Sequence, residues 1–421
     1  MERVSAERVG MCAVRLQRVT EWLDEQIAAE RVAGASVLVA RQGRVAYLEA
    51  QGLAEAGQPT PFAEDTIVRI YSMTKAVTTV AAMTLYEAGC FQLDDPVAHF
   101  LPEFANTPVW TGGALDNVEP QSTPMTVRQL MTHTSGLTYG FMQANPVDEA
   151  YREAGIEFPG AQEDLASLVK RAAQLPLICQ PGSQWNYSIS TDVLGRLVEV
   201  WSGVSLAEYL DRAIIEPLSM VDTGFHVDAS NQERFCALYT PLSGGDMSNV
   251  GKAAKSGQED RGGLKLQESA ARSRFLKPTT LYSGGGGLTS TIGDYANFCQ
   301  MLLNRGELNG ERILGRKTVE FMRLNQLPDG KDMAAMGQPV WSETSYEGIG
   351  FGLGFAVVTD PVKAHMVTSP GEHHWGGAAS TFFWIDPAEE LFAILFTQLM
   401  PSSTYPFRRD LRTRVYQALV T

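Results

Sequence analysis

Strand-like runs at both ends of the chain enclose a long middle dominated by helical periodicity, and few folds satisfy that order. Residues 35–40 and 44–50 are rich in aliphatic and β-branched side chains and flank Arg41, Gln42 and Gly43, which reads as a hairpin. Strand-like runs return at 350–359, 364–368, 379–385 and 391–398. Between them, apolar residues recur at helical spacing in 75–88, 127–131, 163–173, 191–201 and 295–303. Val14, Leu16, Val19, Trp22, Leu23 and Ile27 mark a first amphipathic helix within 9–33, and 404–420 reads as a last one. The fold class expected is α/β (α+β), with an antiparallel sheet built from both chain ends, terminal helices covering it and a helical lobe beside it. The division predicted is a discontinuous sheet domain, 1–71 with 324–421, and a mostly helical domain, 72–323, with a site in the cleft between them.

Hydrophobic residues make up 44% of the chain and charged residues 19%, which is enough apolar surface for a packed core and sets disorder aside. A net charge of −14 argues against nucleic acid as a partner, because phosphate binding calls for a basic patch. Five scattered cysteines form no Cys-x-x-Cys pair and read as reduced thiols. The first residues are charged throughout and show no apolar leader core, and no window reaches the ~18 apolar residues of a membrane span. A cytoplasmic protein that engages no membrane is the expectation.

Chemistry concentrates at Ser72. A β-rich run, Val68-Arg69-Ile70-Tyr71, stops there, and a helix begins with Val77, Val80, Ala81, Thr84 and Leu85 on one side. The serine therefore sits at a helix N-terminus, where unpaired N–H groups favour an alkoxide or oxyanion. Lys75 lies one turn on and reaches back to the hydroxyl. Such a lysine takes a serine proton only if desolvation or nearby positive charge lowers its pKa. A second Ser-x-x-Lys, Ser167 to Lys170, falls in a helix with a polar face and reads as solvated surface, so context rather than spacing selects Ser72.

No Gly-x-Ser-x-Gly elbow is present, and Gly284 to Gly287 follows no strand that would make it a phosphate loop. His373 and His374 are consecutive strand residues facing opposite ways, without metal-ligand spacing, so no metal and no cofactor is expected. Two features stay open on the residues alone. Tyr187 fits either a proton carrier or an aromatic loop anchor. The small residues Gly376, Gly377, Ala378 and Ala379 fit either an oxyanion edge or a tight bend, and Trp375 fits a pocket wall or a core residue.

Four ordered blocks carry a resemblance: Tyr71-Ser72-Met73-Thr74-Lys75; Leu130 to Leu137, reading Leu-Met-Thr-His-Thr-Ser-Gly-Leu; Pro181-Gly182 followed by Tyr187-Ser188; and Gly284-Gly285-Gly286-Gly287-Leu288 with Ser290-Thr291. Together they resemble the family VIII carboxylesterases, which are similar in fold to class C β-lactamases. The resemblance implies Ser72 as nucleophile, Lys75 and Tyr187 as its proton-handling partners, the backbone N–H groups of Ser72 and Ala378 as the oxyanion hole, and Trp375, Gly376 and Gly377 beside the substrate. A phenol among such neighbours is expected to have its pKa pulled down. His133 is expected to hold a turn rather than act as a base. Ile189 stands where class C β-lactamases carry an asparagine, and Trp375-Gly376-Gly377 replaces Lys-Thr-Gly. Losing that lysine removes a partner for a substrate carboxylate, which makes a small neutral ester the expected substrate and β-lactams weak ones. A β-lactamase, a D-amino-acid peptidase or an acyltransferase on the same fold, as the main or a side activity, and a catalytically silent binding protein, are the alternatives.

Overall fold

The computed structural model describes residues 1–156, 163–242, 262–337 and 346–421. Helix α1 (Ala13–Ala28) leads into a hairpin of β1 (Gly34–Arg41) and β2 (Arg44–Gly52). Gln42 and Gly43 at its tip both have positive φ, 52° and 75°, the backbone that matches a tight turn to the twist of its strands. The main helices of the middle are α2 (Thr74–Glu87), α3 (Ser190–Ser202) and α4 (Ile292–Leu303). The chain then adds β3 (Ile349–Phe351), β4 (Ala356–Val358), β5 (His373–Gly376), β6 (Phe382–Asp386), β7 (Leu391–Thr397) and the last helix, α5 (Phe407–Tyr416). These seven strands form one antiparallel sheet in the order β3-β4-β5-β6-β7-β1-β2. The two ends of the chain meet where β1 pairs with β7, from Ala35↔Thr397 to Arg41↔Leu391.

Both faces of the sheet are covered, and the period of two along each strand sorts the residues between them. On β7, Leu391, Ala393 and Leu395 join β1 residues Val37 and Val39 in a core completed by Leu16, Val19 and Trp22 of α1 and by Phe407, Leu411 and Val415 of α5. Phe392, Ile394 and Phe396 face the other way, into the larger core shared with α2, α3 and α4. Trp22 meets Phe407 edge-on at 5.8 Å, and Tyr295 of α4 packs on Phe383 at 5.3 Å. No helix among the described residues is long and apolar enough to cross a membrane.

Two local expectations are corrected. Residues 364–368 form turns and bends rather than a strand: His365 takes φ 53°, which breaks the extended backbone, although Ala364 and Met366 still pack on the main core. The 350–359 run is not one strand but the hairpin β3–β4, bent at Gly354, whose φ of 92° and close approach to Thr79 leave no room for a side chain. Helix α2 also departs from simple amphipathicity. Thr78 and Thr79 are as buried as Val77 and Val80, because α3 packs along the helix, the Gly284 carbonyl accepts from Thr78 Oγ1 and the Gly354 turn presses on Thr79.

A buried polar cluster ties α5 to β5. Glu372, with no exposed side-chain surface, accepts hydrogen bonds from Arg412 Nε at 3.0 Å and Nη2 at 2.7 Å, from His374 Nδ1 at 2.8 Å, and from the Thr368 hydroxyl. Burial pushes the Glu372 carboxyl up, but the Arg412 charge and the His374 hydrogen bond hold it well below the usual carboxylate range. Tyr416 donates to Asp386 at 2.7 Å and closes the same interface. Removing one partner of such a pair strands a charge in the interior. Arg412→Met is expected to lower unfolding free energy by about 3–5 kcal/mol in urea titrations. Glu372→Gln combined with Arg412→Met is expected to recover part of that loss, and a single variant as stable as the parent would show that the pair does not hold the interface.

Candidate active site

The strand-to-helix passage at Ser72 is held from several directions. Val68 and Arg69 pair with Ser290 and Thr289, the Leu288 N–H donates to Thr74 Oγ1, and the Tyr295 hydroxyl donates to the Met73 carbonyl at 3.0 Å. Tyr71 takes φ 44°, a strained value for a residue with a side chain, just before the serine. Ser72 lies in a short 3-10 turn, Tyr71–Met73, that feeds directly into α2. Ser72 lines a narrow cleft whose water-sized space is about 20 Å³.

Lys75 is 1% exposed. Its Nζ lies 3.2 Å from Ser72 Oγ, 3.1 Å from the Tyr139 hydroxyl and 2.6 Å from the Gly285 carbonyl. Burial pulls the amine down to about 7, while the Asp192 carboxylate pushes it up. A neutral amine has two hydrogens and a lone pair. With the carbonyl and Tyr139 taking the hydrogens, the lone pair is left for the serine proton.

Tyr187 is fully buried, and Lys75 Nζ sits 4.6 Å from its ring centroid. The structure therefore brings Ser72, Lys75 and Tyr187 together from sequence positions more than a hundred residues apart. The expected depression of the Tyr187 pKa is not found. Burial raises it, and hydrogen bonds with Ser72 and Trp375 only partly offset the rise. A phenol in that setting keeps its proton, which suits a donor, and leaves the amine as the base.

The sequence reading missed Tyr139 and Asp192. Tyr139 follows two residues after the Leu130 to Leu137 block, and nothing in its neighbourhood distinguishes it from a core aromatic. Asp192 lies in the first turn of α3, five residues after Tyr187, and is buried. It accepts from Ser283 Oγ at 2.6 Å and from the Gly285 N–H at 3.1 Å, so the residue whose carbonyl receives the Lys75 hydrogen bond is also held at its N–H. A Cβ on Gly285 would lie 2.4 Å from Asp192 Oδ2, and one on Gly284 2.7 Å from the Thr191 carbonyl. The glycine run thus lets a loop press against α3.

The Trp375-to-Ala378 segment enters from the sheet. Trp375 packs on Tyr187 at 5.5 Å and on Phe351 at 5.3 Å, so it is buried behind the phenol rather than among the residues that line the cleft. A Cβ on Gly377 would meet Thr381 Oγ1 at 2.2 Å and the Ile70 carbonyl at 2.4 Å, which makes glycine the residue that lets this segment reach the nucleophile's turn. Ala378 packs with Tyr71 there. On Gly376 the missing Cβ position is filled by the Arg408 guanidinium, 2.5 Å away, and the Arg408 charge lowers the Tyr187 pKa against burial.

The remaining candidates take structural places. His133 packs its ring on Tyr187 at 4.9 Å, faces Ser188 Oγ across 3.2 Å, and its carbonyl accepts from the Asn186 N–H. Burial and the Lys75 charge hold its pKa well below the ordinary value, so it stays neutral. Ser167 and Lys170 are exposed on the helix Leu165–Ala172. His374 turns toward Glu372 and Phe382, and His373 toward Phe355 on the opposite face. Among the described residues no group of three His, Cys, Asp or Glu is placed to hold a metal ion.

Known proteins resemble this chain over most of its length. Protein Rv1367c of Mycobacterium tuberculosis is 33% identical over 376 residues, covering 88% of this chain and 86% of that protein. Esterase EstB of Burkholderia gladioli is 32% identical over 414 residues, covering 96% and 95% respectively. Among solved structures, that of EstCE1, described as a hydrolase with promiscuous acyltransferase activity, superimposes with a TM-score of 0.76 at 27% identity, covering 96% of this chain and 98% of that one. The family model described as Beta-lactamase matches residues 19–417, and the fold, the Ser72 turn and these relatives agree with it: the chain belongs to the Beta-lactamase family.

Proposed function

We propose that this protein is a serine hydrolase of the carboxylesterase type, which cleaves small neutral esters through an acyl-Ser72 intermediate. The observation that carries the reading is the buried Lys75 amine, 3.2 Å from Ser72 Oγ and close to neutrality at about pH 7. Its lone pair takes the hydroxyl proton as Oγ attacks the ester carbonyl carbon. The carbonyl π electrons move to oxygen, and the N–H groups of Ser72 and Ala378 receive that oxyanion. Collapse breaks the bond to the alcohol oxygen, which takes the Tyr187 proton, and the Lys75 ammonium restores it. Water then repeats the sequence on the acyl-serine, releasing the acid and regenerating the hydroxyl. The likeness to esterase EstB and to EstCE1 supports this chemistry.

Trp375 in place of a lysine and Ile189 in place of an amide leave nothing on those two positions to hold a lactam's carboxylate or side-chain amide, so β-lactams are weak substrates in this reading. Five free cysteines fit a reducing cytoplasm. Transfer of the acyl group to an alcohol is the second reading, favoured by the acyltransferase activity in the description of EstCE1. It needs only that an alcohol replace water in the second half-reaction.

Ser72→Ala is expected to lower p-nitrophenyl butanoate hydrolysis by roughly 10⁴-fold or more. A fluorophosphonate is expected to add its mass to the Ser72 peptide of the parent protein, and a label on a different serine would reject the assignment. Because the neutral amine is the active form, kcat/KM is expected to rise about tenfold per pH unit up to about pH 7 and then level. Asp192→Asn removes an anion that favours the charged amine, so the acid limb is expected to move to lower pH. An unmoved limb in that variant would show that Lys75 is not the titrating group.

A further inference from the structure

Just past the end of β7, two consecutive residues hold two different parts of the active site. The side-chain amide of Gln398, a buried group, is bonded to both main-chain groups of Arg69, three residues before the nucleophile. Its Oε1 accepts from the Arg69 N–H at 3.3 Å, and its Nε2 donates to the Arg69 carbonyl at 3.0 Å. A side chain thus does for the short strand Val68–Arg69, which pairs with Thr289–Ser290 in a two-stranded sheet, what a further strand would do. The Arg69 guanidinium returns to the same Oε1 at 3.2 Å and also donates to the Cys236 carbonyl at 2.9 Å and to Glu268 at 2.5 Å. Leu399, the next residue, grips the segment that carries Ala378. Its N–H donates to the Ala379 carbonyl at 3.1 Å, and its carbonyl accepts from Ser380 Oγ at 2.7 Å. The Tyr239 N–H, donating to the Gln398 carbonyl at 3.0 Å, fixes the backbone between the two grips. A direct but longer bond, Thr381 Oγ1 to the Ile70 carbonyl at 3.3 Å, also joins the two parts. Close neighbours on each side spend their N–H groups internally, Met73 on Ile70 and Gly377 on Thr381, whereas those of Ser72 and Ala378 have no partner among the described residues.

We propose that Gln398 is a positioning residue that sets the spacing between the Ser72 and Ala378 N–H groups, and with it the fit of the oxyanion hole. The inference rests on the ester-hydrolase reading and adds a residue to its machinery. Two donors from distant parts of the chain stabilise a developing oxyanion only where both come within hydrogen-bond distance of it. That spacing needs a common reference, and β7 supplies one: it is paired on both edges, with β6 and β1, and every residue in it is buried. Gln398 ties the nucleophile's strand to that reference, and Leu399 ties the Ala378 segment to it. Because the amide bonds to main-chain groups of Arg69, what it fixes is the path of the backbone into the Ser72 turn. The position calls for a donor and an acceptor on one planar group. Glutamine supplies both, glutamate keeps the acceptors and loses the donor, and leucine has neither. Gln398 touches no reacting atom, so its loss is felt where the carbonyl oxygen takes up charge and not in the binding of a neutral ester.

The experiment follows p-nitrophenyl butanoate hydrolysis by the parent, Gln398→Leu, Gln398→Glu and Ser380→Ala, with active sites counted by fluorophosphonate labelling of Ser72 carried to completion. Inhibition is compared for an alkyl trifluoromethyl ketone and the matching secondary alcohol. Ser72 Oγ adds to the ketone's carbonyl carbon, its proton passes to Lys75, and the carbonyl π electrons become an oxyanion in the hole. The alcohol has a similar shape and forms no such bond. Gln398→Leu is expected to lower kcat per labelled site roughly 10- to 100-fold with KM little changed, and to weaken the ketone by a similar factor while leaving the alcohol as it was. Gln398→Glu is expected to move in the same direction by less. Ser380→Ala loosens the Ala378 side alone and is expected to weaken the ketone relative to the alcohol without disturbing Arg69. Either of these serves as the readout if Gln398→Leu fails to fold. Variants that label fully and keep the parent's kcat and ketone-to-alcohol ratio, or that lose ketone and alcohol binding alike, overturn the positioning role while the hydrolase reading stands. A parent protein whose Ser72 takes no label removes the hydrolase reading itself.

Discussion

The site depends on keeping an amine dry. An ammonium group out of water is costly, and the protein meets the cost by letting Lys75 lose its proton near pH 7 rather than by neutralising it with a close carboxylate. Asp192 is the anion that raises the amine's pKa, yet its carboxylate is occupied by Ser283 Oγ and the Gly285 N–H. A direct ion pair would have held the proton and disabled the base. The Gly285 carbonyl gives Lys75 an acceptor for one hydrogen without supplying a full countercharge.

Two phenols flank the Lys75 amine, and their hydrogen bonds differ. Tyr139 is bonded to the Lys75 amine, and Tyr187 is turned to Ser72 and Trp375. Both rings lie against the amine, Tyr187 more closely, with centroids 4.6 and 5.4 Å from Nζ. An aromatic face favours the ammonium that forms when the serine proton arrives, and so offsets part of the desolvation at the moment charge appears. The Arg408 guanidinium, behind Gly376, then acts on Tyr187 in the opposite sense to burial. A cation on the far side of the strand can stabilise a transient phenolate without standing where a substrate binds.

The sheet was legible because its strands carry the pattern that two buried faces impose. The alternation in β7 between Leu391, Ala393, Leu395 and Phe392, Ile394, Phe396 is local information, and so is the turn at Gln42 and Gly43. Ser72 and Lys75 were legible for the same reason, since one helical turn relates them. Tyr187 and Ala378 came into view only through a resemblance, because their value lies in contacts across the fold. Tyr139 and Asp192 were not legible at all. A tyrosine beside a glycine-rich turn and an aspartate in a first helical turn both have sufficient local explanations, the second through the helix dipole. The direction of the Tyr187 shift was misread because sequence names the neighbours of a phenol but not how completely they exclude water.

Glycine explains why these distant pieces converge. At Gly377 the Trp375-to-Ala378 segment comes within contact of the Ile70 carbonyl, and at Gly285 the loop whose carbonyl accepts from Lys75 comes within contact of Asp192. Each approach is closer than a Cβ allows, and Gly285 itself lines the cleft. Position 376 works differently, because there the vacancy is filled by a charge from α5, and α5 is itself locked to β5 through Glu372 and Arg412. The packing of the last helix and the electrostatics of Tyr187 are therefore one structural fact. The Arg408 charge is the smallest of the effects on Tyr187, since burial and the hydrogen bonds with Ser72 and Trp375 weigh more, so the packing of α5 trims the phenol's pKa rather than setting it.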